Sequence, residues 1–292
     1  MLASPLDHLV LPVRDIATAR ARLSQLGFTV AADGRHPFGT ENCCVYFRDG
    51  TFIEPLGVAS QVECEAAIRA GNQFVARDRA FRFRNGSEGL SAIVMGSDDA
   101  RADHELFRQS GISGGDMLEF SRPMRFPDGT EATAGFRLAF AADLRAPDFF
   151  AFTCQRINVP AADRSALETH ANGARAIRRV LLHDTQPADF RAFLACVTRS
   201  EAVAEDPEGM DIAASNATIR ILNADGLMAL DGETADPSRR GLSGKAVAFA
   251  VADVDATQRL FYDAGVSHTR YSDSLFVPHQ PGQGVSFIFS GE

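Results

Sequence analysis

The same succession of apolar runs returns four times along this chain, and that recurrence constrains the fold more tightly than any single motif. The first copy opens with an apolar run over 6–13, which reads as a buried strand. Asp15 then stands where a helix N-cap belongs. Ile16, Ala19, Leu23 and Leu26 follow at helical spacing, and Gly27 sits where a left-handed residue ends a helix. A second copy runs from 90–96 through Asp98-Asp99, Leu106 and Phe107 to Gly111-Ile112. The fourth runs from 246–252 through Asp253, Leu260 and Phe261 to Gly265-Val266. The third is degraded: 177–182, Asp184, then Phe190, Phe193 and Leu194, with Cys196-Val197-Thr198 in place of the glycine stop.

Strand-like runs follow each opening. In the first copy they cover 28–31, 42–47 and 51–56, with Asp49-Gly50 as a hairpin turn. The second offers 117–120, 134–141 and 149–155, with Pro127-Asp128-Gly129 as a turn. The third offers 210–214 and 217–222, and the fourth 269–271, 275–277 and 285–289. The unit is β-α-β-β-β at roughly 70–90 residues per copy. One such unit is a curved sheet whose apolar face must bury against a second unit. The predicted fold is therefore α+β: four βαβββ modules in two pairs, each pair an open, cup-shaped mixed sheet with helices outside. The N-terminal pair is expected over 1–160, with modules at 1–60 and 87–160 and a helical linker at 61–86. The C-terminal pair is expected over 161–292, and the join at 158–172 offers Asp163 or Ser165 as a helix start.

The net charge of −9 argues against nucleic acid and anionic membrane surfaces as partners. No apolar stretch reaches membrane-spanning length and no signal peptide is visible. Five cysteines without a repeating spacing suggest free thiols in a reducing compartment, so a cytoplasmic location is expected. No phosphate loop, dinucleotide fingerprint or nucleophile elbow is present.

Two residues stand out inside apolar strands: His8 in the opening run and Glu54 in the run 51–56. A buried carboxylate is costly unless a cation, a donor or a metal partners it. His and Glu both ligate divalent metals. Two readings stay open: a metal site, or a core histidine hydrogen-bonded to Glu54. A buried His–Glu pair also suits acid–base chemistry.

Four segments carry a resemblance. They are Leu6-Asp7-His8-Leu9-Val10-Leu11-Pro12-Val13-Arg14-Asp15, Leu26-Gly27-Phe28, Gly34-Arg35-His36-Pro37-Phe38-Gly39-Thr40-Glu41-Asn42 and Phe52-Ile53-Glu54-Pro55. On these the chain resembles the vicinal oxygen chelate superfamily and, within it, the glyoxalase-like domain proteins. The match is specific over the first sixty or so residues and rests on the repeat pattern beyond them. The resemblance implies paired modules around an open cavity, with a divalent metal in many relatives; the fold alone does not choose a function. It also implies ligand positions on the first and last strands of each module. In the second module these hold Ser91 or Ala92 and the run 149–155. In the third and fourth, Ile177 and Ala246 stand in the first-strand place, and 285–290 offers no ligand. The C-terminal pair is therefore expected to be structural, or to shape a metal-free pocket.

Any metal (zinc, nickel, manganese or iron) is expected on His8 and Glu54, with His36, Cys154 or Gln155 completing the set. Catalysis is assigned to Glu54 and His8. Substrate contacts are assigned to Asn42, Arg82, Phe152, Cys154 and Gln155, and Phe150 is a further candidate for the lining. Arg77, Arg79, Arg82 and Arg84 alternate with Phe81 and Phe83 as on a strand with one charged face, which reads as a solvated face or as a clamp for a small anion. The functional expectation is a small-molecule site with metal-assisted lyase or isomerase chemistry. The other readings are a metal-free sequestering protein and, lower in order, an extradiol-type dioxygenase. A small-molecule partner and a monomer or homodimer are expected.

Overall fold

A computed structural model describes residues 3–125, 131–158, 163–234 and 241–291. The first sheet draws on β1 (Leu6–Pro12), β2 (Gly34–Arg35), β3 (Thr40–Asn42), β4 (Val45–Tyr46), β5 (Phe52–Val58), β6 (Ala92–Gly96), β7 (Leu118–Arg125), β8 (Glu131–Ala142) and β9 (Phe150–Ile157). Helices α1 (Ile16–Gln25), α2 (Gln61–Arg69), α3 (Gln73–Asn85) and α4 (Ala100–Gln109) interrupt them. The second sheet draws on β10 (Ala174–His183), β11 (Val203–Asp206), β12 (Gly209–Ala213), β13 (Thr218–Leu222), β14 (Ser243–Val251), β15 (Thr269–Tyr271), β16 (Ser274–Val277) and β17 (Ser286–Gly291). Its helices are α5 (Arg191–Thr198), α6 (Ala224–Asp231) and α7 (Val254–Asp263).

The sheets share one topology. The first runs β2-β3-β5-β1-β6-β9-β8-β7, with β4 also on β5, and the second runs β11-β12-β13-β10-β14-β17-β16-β15. In each, the two opening strands lie antiparallel at the centre (β1 on β6, β10 on β14), and each takes its own module's last strand as a parallel neighbour. This is the expected pairing of modules within each half.

Strand alternation sends each strand's side chains to two faces. Leu9, Leu11, Ile53 and Ile93 enter a core shared with Val180, Leu182, Val247, Phe249, Phe287 and Phe289 of the second sheet. The residues between them, Val10, Leu56, Ala92, Val94, Phe150 and Phe152, form a separate cluster on the concave face of the first sheet, closed by Phe74 and Val75 of α3. Asp15, Asp99 and Asp253 cap α1, α4 and α7 through their carboxylates, and Gly27, Gly111 and Gly265 adopt positive φ just beyond those helices. In the degraded third copy Arg199 takes the left-handed place, with φ of 53°.

The structure corrects several local expectations. Residues 28–31 form no strand, and 42–47 is split into β3 and β4. The run Phe81-Arg82-Phe83-Arg84 is helical, not extended: Asn72 caps α3, and the helix buries Phe81 while leaving Phe83 88% exposed. A strand would have placed both rings on one face. Asp184 accepts from Gln186 N and leads into a short turn of helix at Pro187–Phe190 before α5, so it does not cap α5 itself. Among the described residues of 158–172 no helix forms. The turn at Pro127-Asp128-Gly129 lies outside the described residues. Among those described, no helix is long and apolar enough to cross a membrane.

Candidate functional site

His8 on β1 and Glu54 on β5 share the concave face because these parallel strands are in register, with Val10 beside Glu54. His8 Nε2 lies 3.5 Å from Glu54 Oε2. His36, just beyond β2, brings its Nε2 to 3.6 Å from Glu54 Oε1. Both separations are long for hydrogen bonds, so the two imidazoles face the carboxylate without gripping it. Their outer nitrogens are anchored: His8 Nδ1 to Asp7 Oδ2 at 2.6 Å and His36 Nδ1 to Thr40 Oγ1 at 2.9 Å. Asn42 Nδ2 donates to Glu54 Oε1 at 2.5 Å, and Arg156 binds Asp7 at 2.7 and 2.8 Å.

Asp7, His8, His36 and Glu54 are all buried, and burial by itself disfavours their charged forms. For Glu54, His8, His36 and Asn42 outweigh that penalty and hold the carboxyl at about 2. For Asp7, His8 and Arg156 likewise outweigh burial and lower it. For His8, burial is overcome by Asp7 and Glu54, and its pKa is raised. For His36, burial wins, and it falls to about 4. His8 is thus the more basic imidazole, set between two carboxylates, and His36 the less basic one on the far side of Glu54.

Aromatic rings surround the pair. His8 stacks on Phe52 with centroids 4.3 Å apart, and His36 stacks on Phe38 at 5.0 Å. They open onto a cleft. Phe74, Phe120, Phe136 and Phe152 wall it, and Arg122, Arg156 and Arg164 supply cations. Apolar walls with a few convergent polar groups are what small-molecule sites ordinarily have.

Of the residues singled out from sequence, His8, His36, Glu54, Phe152 and Cys154 line this cleft, and Asn42 holds Glu54 from behind. Burial pushes the Cys154 thiol up to about 12, which leaves it unreactive at neutral pH. Phe150 packs in the concave core beside Phe152. Arg82 and Gln155 lie elsewhere. The Arg82 guanidinium binds Asp78 and the carbonyls of Val13, Leu56 and Ser87, so it ties α3 to the sheet. Gln155 points to the other face of β9, where it donates to Asp98 O and accepts from Ala100 N at the start of α4.

Asp7, Arg122, Arg156 and Arg164 escaped the sequence reading. Arg156 was within reach of it, since it follows Phe152 and Cys154 at the strand period of two. Arg122 depends on the pairing of β7 with β8, which no local pattern reveals.

The donor set, two imidazole nitrogens and one carboxylate, suits a borderline divalent ion. Anchored outer nitrogens are what metal-bound histidines ordinarily have. Among the described residues, however, no three or more His, Cys, Asp or Glu side chains form a ready metal cage. Binding an ion here would require the three side chains to draw together.

The sequence profile of the glyoxalase-like domain matches residues 6–198. No curated protein sequence matches the chain. Among solved structures, a hypothetical protein from Staphylococcus aureus superposes with a TM-score of 0.64 at 12% identity, covering 99% of both chains. A variant of 4-hydroxymandelate synthase from Streptomyces coelicolor gives 0.60 at 14% identity, covering 100% of this chain and 94% of that one. The Mn(II)-bound glyoxalase from Novosphingobium aromaticivorans gives 0.57 at 9% identity, covering 100% of this chain and 83% of that one. At such identities the likeness is one of fold, the vicinal oxygen chelate architecture.

Proposed function

Because the chain belongs to the glyoxalase-like domain family, we propose that its N-terminal cup binds a small carbonyl-bearing or oxygen-rich molecule and moves a proton on it, as a lyase or isomerase does. The observation that carries this reading is the convergence of His8 and His36 on the two oxygens of Glu54 at the wall of a cleft. The imidazolium of His8 is the proton donor to an oxygen of the bound molecule. Glu54 is a weak base while His8 is charged. Once His8 gives its proton away, the cation that holds the Glu54 carboxyl down is gone, and Glu54 becomes a better acceptor for a carbon-bound proton. Asp7 fixes the ring of His8 and takes up charge with Arg156. Asn42 holds Glu54 in place through Oε1.

His8, His36 and Glu54 are the residues that would hold a divalent metal, which would supply Lewis-acid polarisation of the same oxygen. Metal analysis of chain purified without chelator, then soaked with zinc, nickel, manganese or iron(II), tests this part. One equivalent that is lost in both His8→Ala and His36→Ala supports it. No uptake beyond that of the two variants contradicts it.

A second reading, sequestration without chemistry, is favoured by the phenyl-rich walls. The two part on a bound carbonyl compound with an acidic carbon: proton exchange with solvent that is lost in Glu54→Gln belongs to the first reading alone.

A further inference from the structure

Three guanidinium groups line the cleft, and they are not equivalent. Arg156 is held at both terminal nitrogens by Asp7, so its charge is balanced. Arg164 lies over the ring of Tyr46, 5.1 Å from its centroid. Arg122 enters from β7 over the ring of Phe136 at 5.8 Å, and its Nε is buried with no hydrogen-bond partner. Among the described residues no carboxylate forms an ion pair with Arg122 or Arg164. A buried guanidinium nitrogen without an acceptor is costly, and a ligand oxygen would remove that cost.

The position of Arg122 is specific. A Cβ at Gly34 would lie 2.5 Å from Arg122 Nη1 and 2.5 Å from Asn42 Oδ1. Glycine thus leaves open the space where the guanidinium approaches the amide that holds Glu54. Charge points the same way. Arg122 and Arg164 bring two guanidinium charges to the cleft that no ion pair among the described residues balances, whereas Asp7 balances Arg156. The remaining wall is flat and apolar: Phe38, Phe52, Phe74, Phe120, Phe136 and Phe152. Such rings favour a stacked or edge-on aromatic partner. With two unbalanced guanidinium groups and mostly apolar walls, the cleft suits one negative charge on a flat body. A guanidinium fork matches a carboxylate in both shape and charge.

We infer that the ligand of this cleft is an aromatic carboxylate, with its ring among the phenylalanines and its carboxylate on Arg122. This rests on the same pocket as the reading above but needs neither proton transfer nor a metal.

Isothermal titration tests it with three probes: naphthoate, its neutral isostere naphthamide, and inorganic phosphate. On the wild-type chain naphthoate binds, naphthamide binds about ten- to hundredfold more weakly, and phosphate alone gives no heat. Arg122→Gln weakens naphthoate by about the same factor and leaves naphthamide unchanged, with Arg122→Lys between. Equal affinities for naphthoate and naphthamide overturn the inference, as does phosphate binding tighter than naphthoate. No detectable naphthoate binding, or an unaltered affinity in folded Arg122→Gln, also overturns it. The wild-type comparison decides even if Arg122→Gln fails to fold. The wild-type chain separates the two proposals. If naphthoate and naphthamide differ there as predicted while the wild-type chain shows neither metal uptake nor proton exchange, the ligand class stands and the proposed chemistry falls.

Discussion

The two cups of this molecule share a strand order and differ in what fills them. In the first, the connection between modules grows into α2 and α3, which set Phe74 and Val75 over the concave face. Its outer hairpin, Leu118–Arg125 with Glu131–Ala142, is long enough to carry Phe120, Arg122, Phe136 and Leu138 over the cleft. In the second, the equivalent strands are Thr269–Tyr271 and Ser274–Val277, too short to form such a roof. Its separate cluster is small, built on Leu181, Leu222, Ala246 and Ala248. Beside it the buried Arg220 binds Asp206 and Asp211 and lies near Glu208. The topology supplies a concave sheet twice. Two local elongations and a few polar side chains build the phenylalanine-walled cleft on the first of them.

That comparison can be broken in order of expected effect. The largest effect is expected at Arg82, which separates scaffold from site in the first cup. Arg82→Ala removes four hydrogen bonds and leaves Asp78, whose Oδ1 already lacks a partner, buried without its cation. A loss of about 3 kcal/mol in denaturant unfolding is expected, partly restored by Asp78→Asn in the same chain. If Arg82 were a ligand clamp, stability would change little and ligand affinity would collapse.

A smaller effect is expected in the second cup. Arg220→Met breaks the ion pairs with Asp206 and Asp211. Asp206 is half exposed, so about 1–2 kcal/mol of stability is expected to go. Binding of naphthoate in the first cup should be unchanged. Coupled loss of binding would show that the cups do not work separately.

The sequence disclosed the frame through punctuation. Asp15, Asp99 and Asp253, and the glycines that end their helices, mark the repeat because capping chemistry is local. The polar, largely exposed β11 carries no apolar alternation and went unseen. In α3, phenylalanines two apart mimicked a strand, yet the helix sends them to different surroundings. The site divides in the same way. His8 and Glu54 were visible because a polar group in an apolar strand needs a reason. Gln155 was misassigned by one residue of strand alternation, and Arg82 because its acceptors are backbone carbonyls distant in sequence. Arg122 and Arg164 reach the cleft through tertiary pairing that no window of sequence contains.

The most direct test of the account is an NMR titration of the histidine side chains in the wild-type chain and in Glu54→Gln. The account predicts that wild-type His8 stays protonated above the ordinary histidine value of 6.5, and that His36 stays neutral down to about 4. It also predicts that Glu54→Gln lowers the value for His8, which loses one of its two carboxylate neighbours, and lowers that for His36 as well. Two histidines that both titrate near 6.5 and ignore the substitution would contradict the claim that these three side chains form one functional group.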